Sequence, residues 1–234
     1  MQDASKREIL AWSMYDFANS AFATTIMAVV FQEYMKVLVP QGGAKLLGLT
    51  FTAAGAWSFA LATSLAISAA MAPVIGAVCD YSASKKRYLT IFWLIGCAAT
   101  AGLFFVRPGQ WVPGCGLFIL ANLCFESSVS LNSAFLPELA RPERLDRISS
   151  IGWGIGYIGG GLCLLLNLAM IEKPAWFGIP PHLRVNIAMS SVGFWWFLFG
   201  LPCILGVRER AVARPAAAGR NLIAAGFAKA WETT

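Results

Sequence analysis

The chain has 234 residues, of which 58% are hydrophobic and only 13% charged. Soluble domains carry roughly a quarter charged residues, so this composition excludes one. The formal net charge of +6 is no nucleic-acid footprint, because the cations fall between apolar runs rather than along one polar face.

In chain order, six apolar runs approach the roughly 20 residues that a bilayer core demands of a helix: Ile9 to Glu33, Ala53 to Cys79, Tyr88 to Val106, Cys115 to Leu136, Ile148 to Ile171, and Asn186 to Val207. Each is too evenly apolar for a transmembrane strand, which alternates over about ten residues. The first is too long for a secretory h-region and holds Asp16 and Asn19 within it, so it reads as a retained span. The predicted fold is all-α and integral to the membrane. A six-helix transmembrane bundle covers residues 1–207, and a cytoplasmic linker covers 208–234.

The connections carry turn chemistry. Pro40-Gln-Gly-Gly43 breaks the first long loop, Arg107-Pro-Gly-Gln110 the second, and Pro174 with Pro180-Pro181 the third. The alternate connections are short and basic: Lys85-Lys86-Arg87, and Arg141-Pro-Glu-Arg-Leu-Asp-Arg147. With the two termini, this second set holds 13 of the 18 Lys and Arg residues. That asymmetry predicts both termini in the cytoplasm; the expected location is the cell (inner) membrane. Beyond Arg210, Leu222, Ile223, Phe227 and Trp231 can share one side of a helix from Asn221 to Trp231. Such a helix would lie on the inner leaflet, the alternative being a mobile tail.

Carboxylates at membrane depth are costly and normally face a cavity or a partner. On the first span Ser13, Asp16, Ser20 and Thr24 follow helical spacing, with Asn19 beside them. On the fourth, Asn122, Glu126 and Ser130 recur every four residues and extend to Ser133. Each is a polar stripe on an apolar helix, so it is expected to face protein or water rather than lipid. Glu126, near mid-span, is the stronger candidate for proton coupling. Asp16 suits the cytoplasmic entrance, and Asn19 and Asn122 are candidate solute contacts. The competing reading is that these groups only hydrogen-bond helices together. The fifth span carries Gly152, Gly156 and Gly160 four apart, a smooth face for close helix packing.

Enzyme and cofactor readings lack their parts. There is one histidine, His182, so H-E-x-x-H is impossible, and no G-x-x-x-x-G-K-[ST] phosphate loop occurs. A rhomboid-type serine protease needs a Gly-x-Ser-Gly nucleophile on the fourth span and a histidine on the last, and neither is present. Six scattered cysteines with no C-x-x-C pair indicate neither a disulfide framework nor a zinc site. No enzyme activity, metal or cofactor is expected.

The pattern Gly76-x-x-x-Asp80 followed by Lys85-Lys86-Arg87 resembles the loop between the second and third helices of major facilitator transporters. It departs from that signature at Tyr81, where a cation is usual, and at Ala83, where glycine is. Together with Trp12 to Phe22, Phe125-Glu126, Asn132 to Pro137, Arg147 to Gly161 and Gly200-Leu-Pro202 followed by Arg208-Glu-Arg210, the chain resembles the vacuole effluxer-like, autophagy-related branch of that superfamily. The resemblance implies a secondary transporter, with amino-acid efflux as the activity of the fungal vacuolar members. It also implies a 3+3 inverted repeat in which the first and fourth helices line one cavity, so that Asp16 and Glu126 face a single site. Gly76, Asp80, Lys85, Lys86 and Arg87 would then form the inner gate.

Such transporters have twelve helices in two halves, whereas six are present here. The expectation is therefore the N-terminal half, whose partners are membrane lipid, a small-molecule solute, and a second half supplied by a homodimer or by a missing C-terminal half. The alternative is a truncated, non-transporting membrane module. No nucleic-acid partner is expected.

Overall fold

The computed structural model describes residues 4–46, 48–82 and 84–210, leaving aside the side chains of residues 77–82. Six helices are long and apolar enough to cross a membrane. The first span is composite: α1 (Lys6–Ala21), a π-helical stretch (Phe22–Val30) and α2 (Phe31–Leu38) run on without a break. The others are α3 (Ala53–Ser82), α4 (Lys85–Gly102), α5 (Trp111–Ser133), and, after the short α6 (Leu136–Leu139), α7 (Leu145–Glu172) and α8 (Arg184–Gly206). The expected spans all stand, within a few residues at most ends. The first runs five residues past Glu33 because Tyr34, Met35 and Leu38 remain buried against the bundle.

One loop is more ordered than its sequence suggests. Within it β1 (Ala44–Leu46) and β2 (Leu49–Phe51) pair antiparallel, with Ala44 opposite Phe51 and Leu46 opposite Leu49. Gly48 takes φ 81° at its turn, a left-handed conformation glycine adopts without steric cost. Gly43, at φ 83°, seats the hairpin, since a Cβ there would lie 2.5 Å from Thr50 Cγ2.

The packing order repeats within the bundle. The first span packs on α7 and α8, the fifth and sixth spans; α5, the fourth, packs on α3 and α4, the second and third. Exchanging each helix for the one three spans away maps the first set of contacts onto the second, and the α4–α8 contact onto itself. At that shared contact each helix offers a glycine to the other's tryptophan. A Cβ at Gly96 would strike the Trp196 ring, one at Gly200 would strike Trp93, and Trp93 Nε1 donates to the Trp196 carbonyl at 3.1 Å. Small residues that admit a large neighbour are how helices associate without a hydrophobic drive between them.

The core is aromatic. Phe31 stacks on Phe118 with centroids 5.2 Å apart, Trp57 closes on Phe118 at 4.6 Å, and Phe22 lies 5.8 Å from Trp196. This ladder ties the first span to α3, α5 and α8. Five cysteines, at 97, 115, 124, 163 and 203, are free and buried, consistent with small apolar fillers.

Candidate functional site

The two polar stripes have different fates. On the first span, Asp16 and Ser20 of α1 and Thr24 of the π-helical stretch meet the glycine face of α7. A Cβ at Gly152 would fall 2.7 Å from Asp16 Oδ2, one at Gly156 2.8 Å from Ser20 Oγ, and one at Gly160 2.9 Å from Thr24 Cγ2. Thr24 Oγ1 lies 2.9 Å from the Ser20 carbonyl and 3.2 Å from that of Gly160, so its hydroxyl bonds across this seam. Most of the stripe is thus committed to the α1–α7 contact.

Asp16 also reaches α5. Asn132 Nδ2 donates to Asp16 Oδ1 at 3.3 Å, Trp12 Nε1 donates to the Asn132 carbonyl at 2.8 Å, and the Cys203 thiol donates to Asn132 Oδ1 at 3.6 Å. Asn132 therefore links α1, α5 and α8, a role its sequence does not announce. Asn19 is buried with its Nδ2 unpartnered.

The α5 stripe starts inside and emerges. Residues four apart on a 3.6-residue helix advance by about 40° per step, so a stripe at that spacing winds across the surface. Asn122 is fully buried and donates to Ser64 Oγ on α3 at 2.9 Å, leaving its Oδ1 unpartnered. Glu126 is half-buried, and Ser130 and Ser133 are exposed. Glu126 lies on a groove between α3 and α5, a cavity of about 260 Å³ lined by Leu65, Ser68, Ala69, Ala72, Ile75, Ser127 and Ser130 as well. Asp16 and Glu126 thus have separate surroundings, the first on Asn132 and the second in this groove.

A charged cluster gathers at one end of the bundle. Glu209 caps the start of α4, accepting from the Lys85 backbone N–H at 2.7 Å and the Lys86 N–H at 3.3 Å. Lys85 Nζ pairs with Glu138 at 2.6 Å, and Lys86 Nζ donates to the Val207 carbonyl at 2.8 Å. Glu138 also accepts from the Arg210 N–H at 2.6 Å. The Arg210 guanidinium grips Glu8 at 2.8 and 2.6 Å, and Glu8 accepts from the Arg208 N–H at 3.0 Å. The Glu8 carboxylate holds Arg210 above its ordinary pKa by bonding the charged form.

Of the five residues expected at an inner gate, Lys85 and Lys86 enter this cluster. Arg87 is exposed. A Cβ at Gly76 would meet nothing within 4 Å, so no close approach occurs there among the described residues. The Asp80 side chain and the expected helix from Asn221 to Trp231 lie outside the described residues. The sequence singles out neither Glu8 nor Glu138, and Glu209 only as the middle of Arg208-Glu-Arg210, with no partner assigned. They are far from their partners along the chain, and only the alternation of basic connections hinted that these segments meet.

Comparisons with known proteins bear on the family. The chain is 28% identical over 202 residues to the "Uncharacterized MFS-type transporter YxiO" of Bacillus subtilis, covering 86% of this chain and 46% of that protein. It is 24% identical to "Autophagy-related protein 22" of Eremothecium gossypii, covering 96% of this chain and 52% of that protein. To "Autophagy-related protein 22-1" of Penicillium rubens it is 22% identical, covering 88% and 51%. The chain thus spans about half the length of these curated relatives. No solved structure matches it significantly. The sequence model of the family described as "Vacuole effluxer Atg22 like" matches residues 4–234. With six membrane-spanning helices matching half of major facilitator relatives, the chain belongs to that vacuole effluxer family.

Proposed function

We propose that the chain is one six-helix half of a secondary transporter that exports a small polar solute, an amino acid or related metabolite, in exchange for protons. The observation that carries this reading is Glu126, a carboxylate at membrane depth that opens onto a groove and, among the described residues, is not bonded to a neighbouring helix. An ionisable group so placed in a span is a functional-site hypothesis by default. The charged cluster of Glu8, Lys85, Lys86, Glu138, Glu209 and Arg210 would be the cytoplasmic end in the cell membrane, as the excess of Lys and Arg there favours. Rocking of two halves about a midplane site requires a second six-helix body, supplied by a second copy or by a missing C-terminal half. Asp80 and Gly76 would meet that body.

A second reading has its own support. Asn122 on Ser64 and Asp16 on Asn132 are polar groups that join helices, as in a membrane module that transports nothing by itself.

Reconstitution into liposomes tests the two. Under an imposed pH gradient, release of radiolabelled amino acids should be lost on Glu126→Gln while abundance and insertion stay unchanged. Unaltered transport would remove the proton-carrier role from Glu126. Disappearance of the variant from the membrane would favour the packing role.

A further inference from the structure

The α3–α5 groove holds more than a carboxylate. Ser127 is only 3% exposed, and its Oγ is buried without a hydrogen-bond partner. Ser68 Oγ, on the facing helix, is likewise buried and unpartnered. Both residues line the cavity that Glu126 lines. Buried hydroxyls are normally satisfied, so two that have no partner among the described residues mark a place for a polar ligand, and the carboxylate beside them, an acceptor only, favours one that donates. Ser130 adds no third orphan, because its hydroxyl donates to the Glu126 carbonyl at 3.0 Å. The remaining wall, formed by Leu65, Ala69, Ala72 and Ile75, is carbon.

We infer that this groove binds a small organic cation, a primary ammonium on a short apolar body, with Glu126, Ser68 and Ser127 receiving its three N–H donors. The count of partners argues for that class. An ammonium presents three donors and no acceptor, and the groove presents one carboxylate and two hydroxyl oxygens. A bare proton would satisfy Glu126 but neither hydroxyl, and would need no cavity. A hard metal ion takes six or more oxygen ligands, which a mostly carbon wall does not offer. The volume of about 260 Å³ lies just below the ~300 Å³ at which pockets for drug-sized ligands begin. The bound group is therefore small. The inference rests on the transport reading only for its meaning, since it would name the class of solute that the site takes. The binding itself stands apart from transport.

The test is equilibrium binding to the purified full chain in detergent, with n-butylammonium chloride as the probe. The readouts are the thermal midpoint and saturation-transfer NMR on the butyl protons. Butylammonium should raise the midpoint saturably, as any ligand of the native state does. 1-Butanol and sodium chloride at the same concentration should not. Glu126→Gln should weaken binding by about tenfold or more, the loss of a charge-assisted bond. Ala69→Leu, which fills the groove and leaves the carboxylate in place, should block it. That variant keeps the test decisive if Glu126→Gln fails to fold.

An equal response to butanol, an equal response to sodium, or full binding to both variants would each overturn the inference. So would the absence of any saturable response. Binding that depends on Glu126 but is followed by no transport would leave this inference standing and remove the proposed function. Transport without ammonium binding would do the reverse.

Discussion

At the residue scale, the glycines of α7 divide sharply by face. Gly159 points at α1, where an added Cβ would fall on the Phe17 carbonyl and ring, whereas Gly161, two residues on, meets nothing within 4 Å. The backbone oxygen of Phe17 cannot move aside as a side-chain tip could. Gly159→Ala should therefore force the helices apart and cost about 1–3 kcal/mol, the usual range for overpacking. Gly161→Ala should gain up to about 1 kcal/mol from the better helix propensity of alanine. Unfolding of the two variants by SDS titration compares them directly, and equal stability would mean that α7 does not lie on α1 as described. Spacing by four showed the sequence reader a smooth glycine face. It did not show that the face would meet the polar stripe of α1, because periodicity fixes which residues share a side and not which neighbour covers it. The same limit leaves open, from the sequence, whether the stripe on Asp16, Ser20 and Thr24 faces protein or water.

At the scale of elements, the spans were legible because a bilayer core imposes a length and a composition that few other structures share. Their decoration was not. The π-helical stretch Phe22–Val30 has no composition of its own, and the β1–β2 pair is too short to rise above its loop. Long-range ion pairs were hidden as well, since Arg210 meets Glu8 from 202 positions away. These pairs give a graded prediction. Lys85–Glu138 leaves side chains only 13% and 11% exposed, Arg210–Glu8 leaves 38% and 9%, and Lys36–Glu33 leaves 66% and 64%. Removing one member of a buried pair strands the other charge, whereas an exposed pair contributes about 0–1 kcal/mol. Lys85→Met takes one partner from Glu138, which keeps the Arg210 N–H, and should destabilise the chain by about 1–3 kcal/mol. Arg210→Gln should cost about 1 kcal/mol once solvent screening is allowed for, and Lys36→Met next to nothing. Hydrogen exchange at the start of α4 should rise in the first variant and stay flat in the third. A flat profile in all three would show that the cluster does not clamp this end of the bundle.

At the scale of the whole molecule, burial is unevenly shared among the spans. Only 11% of the most apolar window of α3 and 28% of that of α7 is buried within the bundle, against 39–50% for the other four. These two helices are three spans apart, and they occupy matching places when the packing is exchanged between halves of the repeat. A body that covers both would see a repeated surface, as an equivalent six-helix half would. Lipid alone could also cover them, and the two cases separate by mass. If a second copy is the cover, light scattering in mild detergent, corrected for bound detergent, should give twice the 25.2 kDa of one chain. Gly154, Ile158 and Leu165 lie on one exposed face of α7, and a Cβ at Gly154 meets nothing within 4 Å among the described residues. Gly154→Trp should then halve the mass without unfolding the bundle. Leu198→Trp, at an exposed position on α8, should leave the dimer intact. A monomer for the unaltered chain would exclude the self-paired assembly in that detergent. The second six helices would then lie outside this sequence, and the presence of such a half would be the condition under which Glu126→Gln is assayed.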